Sequence, residues 1–282
     1  MWEARIDMKI LIVTKGHPFQ AEPFFAVFDA LGHDWTHVEH PEALDALSAE
    51  ETAEYDALVM YDMPGITFTG GEPPAHFIAP SDAFKQQYLE LLDAGPGLVF
   101  LHHAVASWPA WPAFAEIVGG RFHYQPAVLH GTEWPDSGYL FDVEHTVEVL
   151  EPDHPICAGL KPSFAIVDEL YLYPVLADDV VPLMRSTFEF TDANFSSADL
   201  AIRGTRNSSE GWSHPPGSDL VAWVKNARNS PVAYIQFADG PVTYADANYR
   251  RVVDNAIGWA ASAEAKSWAR DRHATGQGLI TA

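Results

Sequence analysis

The sequence predicts an α/β protein in which a mostly parallel β-sheet carries helices on both faces. Its first half alternates short apolar runs with stretches of helical periodicity, the order typical of parallel strands joined by crossover helices. The apolar runs are continuous, as expected for strands that are buried on both faces. With 282 residues, 48% of them hydrophobic, the chain suits one large α/β domain with a sizeable core.

Strands and helices alternate through the first 101 residues. The first predicted helix has Pro23 near its start and Gly32 at its end, an arrangement typical of helix termini. The next long helix follows Ser81, a residue type that favours the N-cap position, and Gly95-Pro96 ends it. The predicted strands cover residues 9–13, 34–38, 57–61 and 97–101.

The rest of the chain shows other patterns. Residues 63–80 are rich in Gly and Pro and predict a long loop. A helix containing Trp108 and Trp111 is expected after the strand at 97–101. Residues 138–225 contain many strand-forming residues and turn signals, which predict an extended or antiparallel β region that continues the sheet. A late strand at 232–237 and a helix at 249–259 follow.

The predicted domain covers residues 8–262, between an N-terminal extension at 1–7 and a tail or short helix at 263–282. Residues 1–7 lack the basic start and apolar run of a signal peptide. No segment approaches the roughly 20 apolar residues that a membrane helix requires. The single cysteine, Cys157, excludes an intrachain disulfide and fits a reducing compartment, so we expect a cytoplasmic protein.

The formal net charge is −23, from 16 basic and 39 acidic residues. Such an acidic surface repels nucleic acid and anionic lipid, so neither is an expected partner. A neutral substrate, or one steered by local charges, remains compatible with this net charge, and the sequence leaves a homo-oligomer open.

Titratable side chains follow several predicted strands. Lys15 and His17 come after the first, Asp62 after the third, His102 and His103 after the fourth, and Asp239 after the last. Ligands of open parallel sheets bind beyond the carboxyl ends of the strands, so these side chains are expected to converge. The alternative is that loops are simply polar.

Four further residues are candidates for the same site. Glu169 lies in an apolar stretch, where a buried carboxylate must be paired or protonated; a structural ion pair is the alternative. His123 is either a ligand-binding residue or an ordinary loop histidine. Tyr124 and Tyr171 have aromatic side chains that can stack on a ligand, although aromatic residues more often belong to the core.

Three groups of motifs in the same order resemble those of the ThuA-like (trehalose-utilisation) family, over roughly residues 8–262. They are Gly97–Ala104 with Trp111 and Gly119–Phe122, Asp153–Ile156 with Gly159-Leu160 and Asp168–Tyr171, and Pro231–Gln236 with Asn255–Trp259.

The resemblance implies a flavodoxin-like fold of the class I glutamine amidotransferase type, with a β-rich insertion. His102 would occupy the position at which an amidotransferase has its cysteine. Because imidazole is a poor substitute for a thiolate, glutamine hydrolysis is not expected. The chain also departs from its relatives after the last strand, where Asp239 stands in place of the histidine in a Gly-His-Gly segment.

In function, the resemblance implies a hydrolase-type enzyme of carbohydrate utilisation that acts on a sugar or keto-sugar derivative. His102 or His103 would be the base and Glu169 or Asp62 its partner. The expected substrate-binding residues are Lys15, His17, His123, Tyr124, Tyr171 and Asp239. The rival functions are a non-catalytic sugar-binding module and a metal-dependent hydrolase. The donor types suit zinc, but no His-Glu-x-x-His spacing is present, so the cofactor stays unassigned.

Overall fold

A computed structural model describes residues 8–280 of the chain. The strands are β1 (Lys9–Lys15), β2 (Asp34–Glu39), β3 (Ala57–Asp62), β4 (Ile66–Phe68), β5 (Ala75–Phe77), β6 (Gly97–Leu101), β7 (Ala127–Leu129), β8 (Thr132–Trp134), β9 (Gly138–Val149), β10 (Ser163–Leu172), β11 (Val181–Ser186), β12 (Ser196–Ser197), β13 (Leu220–Ala227) and β14 (Ser230–Ile235). The α-helices are α1 (Ala21–Leu31), α2 (Ala43–Ala46), α3 (Asp82–Ala94), α4 (Ala113–Val118), α5 (Ala198–Ile202), α6 (Pro241–Ala245), α7 (Ala247–Ala261) and α8 (Ala263–Ala274). Short 3₁₀ helices cover Glu51–Glu54, His102–Ala106, Pro155–Cys157 and Asp192–Asn194.

One large sheet of ten strands organises the molecule. Its parallel half has the order β2-β1-β3-β6-β14, which is the flavodoxin-like order. Its antiparallel half continues as β13-β11-β9-β10, and β12 also pairs with β9. The predicted fold class is confirmed, and the antiparallel strands come from the region where the sequence predicts them.

Both faces of the sheet are buried because hydrophobic side chains project from each face and pack against helices. In β1, Ile10 and Ile12 belong to one core cluster, whereas Leu11 and Val13 belong to another. Successive residues of a strand point to opposite faces, so this continuous apolar run fills both. Helices α1 and α7 contribute to the first cluster, and α3 and α4 contribute to the second.

The termini of α1 and α3 agree with the sequence predictions. The Ser81 hydroxyl accepts the backbone N–H of Phe84 at 3.2 Å, which caps α3. Gly32 follows α1 with a φ of 72°, a left-handed conformation that glycine adopts without strain.

Two local predictions need correction. Trp108 and Trp111 precede α4 instead of lying within a helix, because each is followed by a proline. The segment predicted as one long loop contains a small hairpin of β4 and β5. Residues 263–274 form a helix, α8, which packs against β13 and β14, whereas residues 1–7 and 281–282 lie outside the described part of the chain. Among the helices of residues 8–280, none is both long and apolar enough to cross a membrane.

Candidate active site

His102 lies where β6 ends and a 3₁₀ helix begins. Its φ of 50° is unusual for a residue with a side chain, and such strain persists only where the surroundings enforce it. The surroundings here include Tyr234 of β14, whose hydroxyl donates to the His102 carbonyl at 3.0 Å. The imidazole is fully buried.

The His102 ring has a fixed orientation. Its Nδ1 lies 2.6 Å from the main-chain carbonyl of Gln236, and a carbonyl only accepts, so Nδ1 carries a proton. The other nitrogen, Nε2, faces three oxygen atoms, which lie on Tyr171 at 2.6 Å, Glu169 at 3.1 Å and Asp239 at 3.5 Å. We call His102, Glu169, Tyr171 and Asp239 the His102 cluster.

Two regions of the chain deliver the partners of His102. Glu169 and Tyr171 are two residues apart on β10, so their side chains leave the same face of the strand. Asp239 follows β14, the parallel strand next to β6. The cluster therefore forms where the antiparallel half of the sheet meets the carboxyl edge of the parallel half.

The charges of the cluster are mutually dependent. Burial alone would lower the pKa of His102, but hydrogen bonds to Asp239 and Glu169 outweigh it and raise that pKa well above its ordinary value. Burial raises the pKa of Glu169, and the nearby imidazole opposes this rise. The pKa of Asp239 is lowered because its interactions with His102 outweigh its burial. At neutral pH the cluster thus contains an imidazolium beside an ionised Asp239.

Asp168 also belongs to the site, although its sequence context did not single it out as a candidate. Its Oδ1 accepts the backbone N–H groups of Glu169 at 2.8 Å and Asp239 at 2.9 Å, which ties the two carboxylate-bearing segments together. Only 3% of Asp168 is exposed, and burial raises its pKa to about 7. The sequence signal that could have identified Asp168 as a buried carboxyl is its position beside Glu169 in an apolar stretch.

His17 and His103 form a stacked pair beside the cluster, with ring centroids 4.5 Å apart. Gly16 makes this approach possible, because its φ is 94° and a Cβ there would lie 2.1 Å from the Met63 carbonyl oxygen. Burial, and secondarily the charge of His102, lowers the pKa of His17 to about 4. Burial likewise holds the pKa of His103 well below its usual value, so both rings are neutral at pH 7.

Three predicted site residues lie outside the His102 cluster. The Asp62 carboxylate lies 2.7 Å from His40 Nε2, because Asp62 alternates with Tyr61 on β3 and points to the opposite face. Lys15 is half-exposed and pairs with Glu39 at 3.6 Å. His123 is buried, and burial lowers its pKa to about 4. The structure does not bring these three into the His102 cluster.

Tyr124 lies one layer behind the cluster. Its ring packs edge-on against Phe122, which in turn packs against Tyr171. Its hydroxyl lies 3.5 Å from the Met63 sulfur, and its ring is linked to the cluster through Phe122.

A buried cation, also missed from the sequence, supports the loop after His102. The Arg121 guanidinium donates to the carbonyls of Ser107 at 3.0 Å, Trp108 at 2.9 Å and Trp111 at 3.0 Å. Burial lowers the pKa of Arg121 to about 9. These three hydrogen bonds hold the loop that follows the strained turn. No sequence pattern predicts that an arginine will bind three main-chain carbonyl groups, so this role could not be read from the sequence.

A cavity of about 460 Å³ adjoins the cluster. It is lined by Pro18, Phe19, Gln20, Asp142, Val167, Asp168, Asp239, Gly240, Pro241, Val242 and Thr243. The Asp239 side chain is 32% exposed and the His102 side chain is 0% exposed. Asp239 is therefore the member of the cluster that reaches the cavity, and His102 lies behind it.

The cluster also has the composition of a metal site. The ligand atoms of His102, Glu169 and Asp239 all lie within 4.8 Å of one another. The bond from Nδ1 to Gln236 leaves Nε2 as the coordinating nitrogen, as is usual for histidines that bind metals. One imidazole and two carboxylates suit zinc and other divalent metals.

The fold and the site together define an α/β protein with a flavodoxin-like strand order and a histidine at the strained strand-to-helix turn. A family model described as Trehalose utilisation (ThuA) matches residues 9–260. The chain therefore belongs to the ThuA family. No curated protein matches the chain.

Solved structures show the same fold. A ThuA-like protein from Parabacteroides merdae has a TM-score of 0.61 and 14% identity, over 91% of each chain. One from Bacteroides uniformis has a TM-score of 0.59 and 18% identity, over 90% of this chain and 91% of the other. PurLQS from Thermotoga maritima gives 0.50 and 9%, over 90% of this chain and 99% of that chain.

Proposed function

We propose that the protein is an enzyme that acts on a sugar or keto-sugar derivative through acid–base chemistry at the His102 cluster. The observation that carries this proposal is the contact of His102 Nε2 with the carboxylates of Glu169 and Asp239. Of these two carboxylates, that of Asp239 lines the cavity. Membership of a trehalose-utilisation family supports a carbohydrate as the substrate class.

The roles follow from burial and charge. Asp239 is ionised and faces the cavity, so it is the base that takes a proton from a substrate hydroxyl, an acidic C–H or a water molecule. His102 is a positioning residue whose Nε2 proton is shared with Asp239 and Glu169 and stabilises the ionised carboxylate. This assignment differs from the sequence prediction, which made a histidine the base.

Substitutions at both positions test the proposal. Asp239→Asn preserves the shape but removes the base, and we expect the turnover rate to fall by about 10²–10⁴-fold. His102→Gln should lower turnover and also displace the acidic limb of the pH–rate profile, because the Asp239 carboxylate loses its neighbouring charge. A purely structural role would leave that limb in place. The assay is conversion of trehalose, glucose and their keto derivatives.

Asp271→Asn is the matched control, because Asp271 is an exposed residue of α8. It should retain wild-type turnover. Wild-type rates for Asp239→Asn, or no conversion of any sugar in the panel by the wild-type protein, would overturn the proposal.

A metal-dependent hydrolase is the second candidate, favoured by the arrangement of His102, Glu169 and Asp239. These ligand atoms can share a proton or hold a divalent ion, which would supply a Lewis acid beside the cavity. The test is zinc titration by calorimetry, with metal content measured after dialysis. Zinc should bind the wild-type protein but not Glu169→Gln, and more weakly as the pH falls. If turnover is undiminished in the presence of a chelator and the protein retains no metal, the metal-dependent hydrolase is excluded and only the acid–base proposal remains.

A further inference from the structure

The cavity beside Asp239 has an acidic wall and an apolar wall. Asp142, Asp168 and Asp239 supply three carboxyl groups, whereas Phe19 and Pro241 are among its apolar lining residues. No lysine or arginine lines it in the described part of the chain. Its volume of about 460 Å³ falls within the range of small-molecule sites, which is about 300–1,000 Å³.

Asp142 reaches this cavity because of a β-bulge. The pairs Asp168–Val143 and Leu170–Leu140 enclose one residue on β10 but two on β9, so Asp142 is part of the bulged segment. Bulges redirect side chains and are common beside active sites. Asp142 is exposed, has a φ of 54°, and has no side-chain hydrogen bond with another described residue. Its carboxylate is free to bind a ligand.

Asp168 provides a second, independent observation. Its Oδ1 is fully used by the N–H groups of Glu169 and Asp239, but its buried Oδ2 has no partner among residues 8–280. Buried polar atoms are almost always hydrogen-bonded, so an unpartnered carboxyl oxygen on a residue that lines a cavity indicates a missing partner. The residue is 3% exposed, and the cavity that it lines is where such a ligand would lie.

We infer that the cavity is a subsite for one uncharged sugar ring, with Asp142 and Asp168 as the residues that bind its hydroxyl groups and with Asp142 and Asp239 as the charges that exclude phosphorylated sugars and sugar acids. Carboxyl oxygens accept hydrogen bonds, and sugar hydroxyls donate them. Phe19 and Pro241 offer apolar surface to the C–H groups of the ring. An anionic substituent would instead meet like charges, which disfavours binding.

This inference rests on the proposed function, but equilibrium binding tests it without turnover. Calorimetry should compare trehalose and glucose with their 6-phosphates, using wild type and the His102→Gln variant. We expect each neutral sugar to bind at least about tenfold more tightly than its phosphate ester in both proteins. If His102→Gln still binds neutral sugars but no longer converts them, the sugar subsite is supported independently of the catalytic role proposed for the His102 cluster.

Charge reversal at Asp142 provides the sharper test. Asp142→Lys should weaken neutral-sugar binding about tenfold and strengthen binding of the 6-phosphates by at least about tenfold. Asp142→Asn, which tolerates a positive φ, should reduce the discrimination even if the lysine variant folds poorly. The control is Glu144→Lys, an exposed change of equal charge on the same strand that does not line the cavity.

Glu144→Lys should leave all affinities within about twofold of wild type. Three results would overturn the inference: equal binding of neutral and phosphorylated sugars by the wild type, no binding of any neutral sugar, or the same change in preference in the Asp142 and Glu144 variants.

Discussion

Replacing Glu169 with glutamine tests whether His102 carries a charge in the folded protein. The Glu169 oxygen and His102 Nε2 lie 3.1 Å apart, and their side chains are 4% and 0% exposed. Two unit charges about 3 Å apart interact by about 5 kcal/mol at an effective dielectric constant of about 20. Asp239 remains as a second partner at 3.5 Å, so we expect the free energy of unfolding to fall by about 2–4 kcal/mol.

The measurement is urea denaturation at pH 7 of wild type, Glu169→Gln, His102→Gln and the double variant. If the pair is ionic, the double variant should lose at least about 2 kcal/mol less than the sum of the single losses. Unchanged m-values would show that the denatured state is comparable. Glu144→Gln, at an exposed position, should change stability by less than about 0.5 kcal/mol. Additivity within about 0.5 kcal/mol would refute an ionic His102 and the roles derived from it.

Three further predictions concern the rest of the molecule. Burial lowers the pKa of His145 from 6.5 to about 4, so the unfolded chain binds its proton more readily and acidification from pH 7 to 4.5 removes about 2 kcal/mol of stability. Urea denaturation at the two pH values should show that this loss of about 2 kcal/mol disappears in His145→Gln. The loss should persist in His76→Gln, a control at an exposed position. An equal loss of stability in both variants would contradict the prediction. Arg121→Met leaves three carbonyls of the loop after His102 without donors and should cost about 3 kcal/mol in the same assay, whereas less than about 1 kcal/mol would show that the loop holds itself. Purified protein should release no ammonia from glutamine above background, and glutamine turnover that Cys157→Ser abolishes would reverse this expectation.

The sequence predicted the position of His102 better than its surroundings. A buried strand followed at once by two histidines indicates a turn at the carboxyl edge of a sheet, and His102 lies there. The same rule placed Asp62 at that edge, but it specifies the end of a strand and not the face. Asp62 leaves β3 on the face opposite Tyr61, and that alternation decides its partner.

Residues whose role depends on distant pairing could not be predicted. Asp142 lines the cavity only because the register of β9 against β10 changes near Asp168, and no local pattern fixes that register. Glu169 differs, because an acidic residue in an apolar stretch signals a buried carboxylate wherever it packs. Local chemistry thus predicted candidate residues, whereas long-range strand pairing determined which of them meet.

The two halves of the sheet supply different parts of the site around His102. The parallel half supplies the strained turn, Gln236 and Asp239, which hold the imidazole and its proton. The antiparallel half supplies Glu169 and the bulged segment with Asp142. Substitutions in the bulged segment of β9 are therefore expected to alter the proposed ligand preference while the contacts of the imidazole with Gln236, Glu169 and Asp239 stay intact.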